Sequence, residues 1–187
     1  MRDAIFVHGF NIHDNGASTI HKLIPEFSPF FNCLKFDYGW TGLLGVRLAN
    51  GTRSRILSSI IEDGTIGIGH SNGCTILHRA SKLNTKLKHL ILINPALDAD
   101  TKFAPHLKTI SVYYTPKDEA TRWAKYLLFH RWGDMGNKGS TIMDSRVTNY
   151  NEFDLFGVTT HSGIFHDTYA RKEIVNTFIR TLIKNLA

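Results

Sequence analysis

The sequence predicts an α/β fold, with a mostly parallel central sheet and helices on both of its faces. Short apolar runs of strand character alternate with stretches in which apolar residues recur at the helical period. With 187 residues, of which 42% are hydrophobic and 20% charged, the chain can bury one core and carries too little charge for a disordered protein. It has no internal repeat and no linker rich in Gly, Pro or Ser, so we expect a single domain over residues 1–187.

The alternation also sets the order of the elements. Six strands are predicted near residues 4–8, 33–38, 65–69, 89–94, 109–114 and 153–159. Helices are predicted near 19–27, 52–62, 72–83, 119–129 and 167–186, with Asp167 as the N-cap of the last one. Residues 131–151, which contain Gly133, Gly136 and Gly139, have no clear period and are predicted to form an irregular loop.

Composition argues against several classes of protein. No run approaches the roughly 20 apolar residues of a membrane-spanning helix, and the N-terminus has no signal-peptide pattern, so we expect a cytoplasmic protein. The net charge of +6 is spread over both halves of the chain, so no nucleic-acid partner is expected. Cys33, Cys74 and the histidines match no metal-ligand spacing. We expect reduced cysteines, no metal and no cofactor.

The strongest motif is Gly-His-Ser-Asn-Gly at residues 69–73, between the buried-looking run 65–68 and the helical stretch 74–80. A sharp turn between a strand and a helix lifts a serine hydroxyl above the sheet, and the flanking glycines let neighbouring backbone pass close by. The positive end of the helix dipole lies at the same point. Ser71 is therefore a candidate nucleophile, although the same pattern also occurs in structural turns.

A second motif follows the first strand, where His8-Gly9-Phe10 ends the run 5–7. Many serine hydrolases place an oxyanion-hole amide in such a segment. Through these two motifs and the order of the elements, nearly the whole chain resembles the α/β-hydrolase superfamily. The resemblance implies a serine, an acid and a histidine in that chain order, each on a loop after a strand.

Two positions must then supply the acid and the base. Asp118 follows the penultimate strand, where the family usually carries its acid, while Asp98 and Asp100 lie one strand earlier. His161 comes directly after the last predicted strand, and His166 is the alternative base near the final helix. Asp118 could also be a helix N-cap.

The other histidines are interpreted as structural. His8 and His70 belong to the motifs and are expected to support the loops rather than to transfer protons.

The resemblance implies hydrolysis of a small carboxylic ester, or a thioester, by Ser71, His161 and Asp118 through an acyl-enzyme. The backbone amides of Phe10 and Asn72 would form the oxyanion hole. Two alternatives stay open: an acyltransferase or thioesterase that acts on a carrier-bound acyl group, and a binding module that has lost catalysis.

The segment 95–108 is too short for the cap domain of many relatives, so a minimal cap and an open site are expected. Specificity would then come from loops 11–18, 40–51 and 131–151, the last a candidate lid. The side chains expected near a substrate pocket are Trp40, Trp123, Trp132 and Met135.

Overall fold

The computed structural model describes residues 1–10, 13–39, 43–118 and 133–184, with the backbone alone for 43–47. The strands are β1 (Asp3–Val7), β2 (Asn32–Phe36), β3 (Ile66–His70), β4 (His89–Ile93), β5 (Thr109–Tyr114) and β6 (Val147–Asn151). The α-helices are α1 (Ile24–Phe27), α2 (Leu43–Ile60), α3 (Asn72–Leu83), α4 (Met135–Lys138), α5 (Glu152–Phe156) and α6 (Thr168–Lys184). Two 3-10 turns span Ile20–Leu23 and Gly163–His166.

The six strands form one sheet in the order β2-β1-β3-β4-β5-β6, and every neighbouring pair is parallel. Because all strands point the same way, their carboxyl ends meet at one edge of the sheet. Ser71 follows β3 at this edge, Asn94 follows β4, Thr115 follows β5 and Glu152 follows β6. The predicted parallel α/β fold is confirmed.

Alternate residues of the strands feed two hydrophobic layers, as the two-residue period of a strand requires. In β1, Ile5 and Val7 pack on one face with α2 and α3, while Ala4 and Phe6 pack on the other with α6. β4 divides in the same way between the two faces. The sheet is therefore covered on both sides, which explains the near-continuous apolar runs of its central strands.

Glycines in β3 bring α3 close to the sheet. A Cβ atom at Gly67 would lie 2.7 Å from the Leu77 side chain, and one at Gly69 would lie 2.8 Å from it. A Cβ atom at Gly73, in the first turn of α3, would collide with the backbone carbonyl oxygens of Val7 and His8. The start of α3 therefore rests directly on the end of β1.

The prediction that the sixth strand covers residues 153–159 is wrong. The last strand is β6, and its final residue Asn151 ends the strand and caps helix α5, because its Oδ1 accepts the N–H groups of Phe153 and Asp154 at 3.1 and 3.4 Å. Gly157 ends α5 with a left-handed φ of 69°. The apolar, β-branched composition of 153–159 favoured a strand, but these two capping residues favour a helix.

The irregular loop predicted for 131–151 is wrong where α4 and β6 form, while residues 139–146 between them contain no helix or strand. A Cβ atom at Gly133 would overlap the backbone of Leu97, and the Met135 N–H donates to the Leu97 carbonyl at 2.9 Å. Met135 is fully buried in the core instead of lining a pocket. Residues 133–136 therefore pack against the loop after β4, and 147–151 form the edge strand of the sheet.

The remaining helix predictions differ mainly in their ends. Helix α2 begins at Leu43 rather than 52, so most of the predicted specificity loop 40–51 is helical, while the predicted helix 19–27 combines a 3-10 turn with α1. The predicted helix 119–129 lies outside the described residues. Helix α6 begins after Asp167, whose Oδ1 accepts the Ala170 N–H at 2.9 Å, and is described as far as Lys184.

The described residues also bear on the predicted cap, the cysteines and membrane-spanning helices. The segment 94–108, between β4 and β5, contains no helix or strand, in agreement with the expected lack of a cap there. Cys33 and Cys74 are both free. No helix in the described part of the chain is long and apolar enough to cross a membrane.

Two helical glycines give a matched test of this packing. Gly73→Ala should lower the free energy of unfolding by about 1–3 kcal/mol, because the new methyl group meets immobile backbone. Gly51→Ala should raise it by up to about 1 kcal/mol, because Gly51 lies in α2 with nothing within 4 Å of the added carbon. Urea unfolding measures both, and a shift of the two variants in the same direction would contradict the account of how α3 packs.

Candidate active site

Ser71 occupies a strained turn between β3 and α3. Its φ is 53° and its ψ −119°, a conformation that costs a residue other than glycine about 1–3 kcal/mol. The neighbouring strand end holds the turn: the Ser71 N–H donates to the Ile93 carbonyl at 3.0 Å, and the Ala96 N–H donates to the Ser71 carbonyl at 3.2 Å. The side chain lies at the carboxyl edge of the sheet, next to the start of α3.

The structure brings Asp118 and His161 together. The His161 Nδ1–H donates to Asp118 Oδ2 at 2.5 Å, and the Asp118 side chain is 1% exposed against 22% for His161. Because an ionised carboxylate can only accept, the proton of a neutral His161 lies on Nδ1. Its Nε2 is then the basic nitrogen.

The backbone carbonyl of His161 is held by two side chains. It accepts the His70 Nε2–H at 3.1 Å and the Asn94 Nδ2–H at 3.0 Å. Burial, together with the nearby His161, keeps the pKa of His70 well below its ordinary value, so His70 is neutral. His70 therefore acts as a support for the His161 loop, in the way expected for this residue.

Ser71 and His161 are connected through His70, which precedes Ser71 in the chain. The His70 and His161 rings have centroids 4.8 Å apart. Within the described residues no hydrogen bond involves the Ser71 hydroxyl. Such bonds are often long in free enzymes and shorten when substrate binds.

The segment after β1 lies against the serine. A Cβ atom at Gly9 would be 3.2 Å from Ser71 Cβ, a tight contact, so glycine lets Phe10 follow close to the turn without displacing the serine. The Tyr38 hydroxyl donates to the carbonyl oxygens of His8 and Gly9 at 3.0 and 2.6 Å. His8 adds its own Nδ1–H to the Gly9 carbonyl at 2.8 Å, and its ring stacks on Tyr38.

Asn72, the other predicted oxyanion donor, is the first residue of α3, so its N–H has no partner within the helix. Its side chain exchanges hydrogen bonds with Asn50 of α2 at 2.8 and 3.2 Å. It also donates to the Tyr38 hydroxyl at 3.4 Å. The two predicted amides, of Phe10 and Asn72, thus belong to segments that one polar cluster fixes on either side of Ser71.

The alternative acid and base positions lie elsewhere. Asp98 and Asp100 are both exposed, and neither contacts His161. His166 is exposed as well, and its Nδ1 lies 3.1 Å from Lys22 Nζ. Of the candidates considered from the sequence, only Asp118 and His161 form a pair.

Three residues of the site were not found from the sequence: Asn94, Tyr38 as a loop support, and Glu152. Glu152 is fully buried beside Asp118, and its carboxylate accepts hydrogen bonds from Asn94 and Thr115. Glu152 immediately precedes the segment 153–159, which the sequence predicts as a strand, and the polar residues before it give no local signal of burial.

The remaining sequence predictions for the site concern the tryptophans and metal binding. Trp40, Trp123 and Trp132 lie outside the described residues. No group of three or more His, Cys, Asp or Glu side chains in the described ranges is arranged to hold a metal ion.

This arrangement can perform base-assisted nucleophilic attack. It combines an elevated hydroxyl, an imidazole with its basic nitrogen free, a buried carboxylate that orients the imidazole, and backbone N–H groups at a helix start.

Several known structures share the fold of this chain, although no sequence comparison finds a relative. No family model matches the sequence, and no curated protein sequence matches it significantly. Alpha/beta hydrolase domain-containing protein 10 from mouse superposes with a TM-score of 0.63 at 17% identity, over 99% of this chain and 90% of that one. A protein of Xanthomonas campestris pv. campestris assigned to the alpha/beta hydrolase superfamily gives 0.58 at 16%, over 96% and 99%.

The monoacylglycerol lipase of Paleococcus ferrophilus gives a TM-score of 0.58 at 14% identity, over 97% of this chain and 94% of that one. These similarities extend over almost the full length of both partners in each comparison. At such low sequence identity they concern the fold. The chain has the α/β-hydrolase fold.

Proposed function

We propose that the protein is a serine hydrolase that cleaves a carboxylic ester or thioester, with Ser71 as nucleophile, His161 as base and Asp118 as the orienting acid. The observation that carries the proposal is the hydrogen bond from His161 Nδ1 to Asp118, at the sheet edge where Ser71 occupies its strained turn. A structural turn would not need a buried carboxylate paired with a partly exposed histidine 43 residues away. The hydrolase names of the structural neighbours agree with this class of activity.

In the first step, His161 Nε2 takes the proton of the Ser71 hydroxyl while the oxygen attacks the substrate carbonyl carbon. The carbonyl π electrons move to oxygen and form a tetrahedral oxyanion. When this intermediate collapses, the bond to the leaving group breaks, and His161 returns the proton to the departing alcohol or thiol. In the second step water repeats the sequence, so Ser71 is regenerated and the carboxylic acid leaves.

Asp118 stabilises the imidazolium that forms on His161 in both steps. Its side chain is almost completely buried, so the charge interaction is only weakly screened by water. It also fixes the tautomer of His161 that leaves Nε2 free to accept the serine proton.

The oxyanion is assigned to the amides of Phe10 and Asn72. Removing one such donor costs about 3–4 kcal/mol of transition-state stabilisation in a known serine protease. The support for this assignment is the rigidity of the two segments, since Tyr38 and Asn50 bond to them directly. The first amide follows Gly9 and the second begins α3, whose dipole favours negative charge at this end.

The substrate is proposed to be a small ester with access from the carboxyl edge of the sheet. The absence of a helix or strand in 94–108 supports an open site on that side. Backbone hydrogen bonds join residues 95–99 to 133–141, so that these two segments form one side of the site. One example is the bond from the Gly136 N–H to the Pro95 carbonyl at 3.0 Å.

A series of p-nitrophenyl esters from acetate to palmitate tests the proposal. The wild type should show turnover with a chain-length optimum, and Ser71→Ala should lose about 10⁴-fold or more in kcat while its circular dichroism is unchanged. Ser59→Ala, which changes an exposed serine of α2 bonded to the Ile56 carbonyl, is the matched control and should keep full activity. Equal activity of Ser71→Ala and wild type would disprove the assignment.

The same assay distinguishes hydrolysis from acyl transfer. Added alcohol or thiol carrier should increase nitrophenol release little, and the free acid should be the main product. A dominant transfer product would favour an acyltransferase that uses the same three residues.

The assignment of Asp118 as the acid is tested by two Asp→Asn substitutions, which remove the charge and keep the shape. Asp118→Asn should reduce kcat about 10³- to 10⁴-fold, because an amide at this place can stabilise the wrong tautomer of His161 and carries no charge. Asp98→Asn, at the exposed alternative position, should remain within twofold of the wild type by our estimate. Steady-state kinetics measure kcat of both variants. A larger loss in Asp98→Asn than in Asp118→Asn would place the acid in the loop after β4 instead.

A further inference from the structure

Glu152 connects three strand ends beneath the site. It is the first residue of α5, directly after β6, and it is 0% exposed. Its Oε2 accepts the Thr115 hydroxyl proton at 2.7 Å, and its two oxygens accept from Asn94 Nδ2 at 3.2 and 3.3 Å. Thr115 follows β5 and Asn94 follows β4.

Both partners lead directly to the proposed triad. The amide nitrogen of Asn94 that faces Glu152 also donates to the His161 carbonyl at 3.0 Å. The Thr115 carbonyl accepts the Asp118 N–H at 2.9 Å, which closes the turn that carries the acid. One buried carboxylate therefore orients the residues that fix the His161 loop on one side and the Asp118 loop on the other.

The side-chain contacts of Glu152 suit an ionised carboxylate, since the Asn94 amide nitrogen can only donate and the Thr115 hydroxyl donates as well. Asp118 and Tyr113 are the titratable groups that face it, and no cation contacts it within the described residues. Burial, and then the charge of Asp118, raise its pKa to about 7, although the Thr115 and Asn94 hydrogen bonds act in the opposite direction. A second buried negative charge is costly, so its retention beside the site calls for a reason.

We propose that Glu152 is a positioning residue whose ionised carboxylate holds the Asp118 and His161 loops in their catalytic arrangement, and whose protonation releases them. This inference rests on the proposed function, since it assigns Glu152 a part in the same reaction. Glu152 touches no reacting atom and acts through Asn94 and Thr115.

Activity and stability should then respond to pH in opposite ways. The pKa of Glu152 in the folded protein, about 7, lies above its ordinary value of 4.5. For an acid this stabilises the fold below pH 4.5, and the contribution is lost as the pH rises through about 7. The protein with ionised Glu152, which is the form proposed to hold the site, is thus less stable to unfolding than the protein with protonated Glu152.

The test compares Glu152→Gln with wild type and with Glu62→Gln, which removes an exposed acid before β3, at the opposite edge of the sheet. Glu152→Gln keeps the shape but removes the charge and replaces one acceptor oxygen with an N–H donor, so Thr115 and Asn94 no longer share two acceptor oxygens. We expect kcat at pH 8 to fall about 10- to 100-fold with little change in KM, because misplaced catalytic groups slow the chemical step. Glu62→Gln should match the wild type.

The pH profile provides the readout that a purely structural role would not change. In the wild type, the slope of log kcat/KM against pH on the acid side (the acid limb) should be steeper than a single protonation produces. In Glu152→Gln this slope should fall to that of one proton. The melting temperature of Glu152→Gln relative to wild type should rise from pH 5 to pH 8. An unchanged acid limb together with an unchanged kcat would overturn the proposal.

Two further variants apply if Glu152→Gln does not fold. Thr115→Val removes a single donor to the carboxylate and should lower kcat, while Thr115→Ser keeps the hydroxyl and should restore it. Equal activity of the two would contradict the role of the Glu152 contact.

Failure of this inference can be told apart from failure of the proposed function. The low-field NMR signal of the His161 Nδ1 proton needs no turnover, and it should be present in wild type and Glu62→Gln and weakened in Glu152→Gln at pH 8. A wild type that hydrolyses no ester but shows this pattern would refute the function and keep the positioning role. An ester hydrolase whose signal and acid limb are unchanged in Glu152→Gln would refute the positioning role alone.

Discussion

The turn at Ser71 is the constraint on which the rest of the site depends. A serine at φ 53° is unfavourable by itself, so neighbouring structure must hold it there. Two features do so: the hydrogen bonds to Ile93 and Ala96 at the end of β4, and the close approach of α3 to β1 at Gly73. The strain is thus balanced by packing of the sheet, and a hydroxyl at the sheet edge is the consequence.

A chain of polar contacts continues along the same edge. From Ser71 it passes through His70 to the His161 carbonyl, then through Asn94 to Glu152 and through Thr115 to the Asp118 turn. Asn94 itself has a φ of 45°, a conformation that asparagine tolerates better than most residues. The loops that carry the proposed acid and base are therefore tied to the ends of β4, β5 and β6. We interpret the buried charge of Glu152 as the cost of that rigidity.

The elements with strong local signals could be predicted from the sequence. The β3 turn with α3, and the His8-Gly9 segment, are encoded by adjacent residues whose glycines are needed for close backbone approach. The region after β5 could not be predicted in this way. Asn151 and Gly157 cap α5 in a run whose apolar residues suggested a strand, and the packing of Gly133 on Leu97 joins segments distant in sequence. Glu152 was missed for the same reason, since its role depends on side chains from three strand ends.

The proposed mechanism requires the Ser71 hydroxyl to be an activated nucleophile. It is tested most directly by reaction with a fluorophosphonate, followed by mass spectrometry of the proteolysed protein. We expect one adduct per chain, on the peptide that contains Ser71, formed much more slowly in Asp118→Asn. An adduct on another residue, or no adduct under conditions that label a known serine esterase, would contradict it.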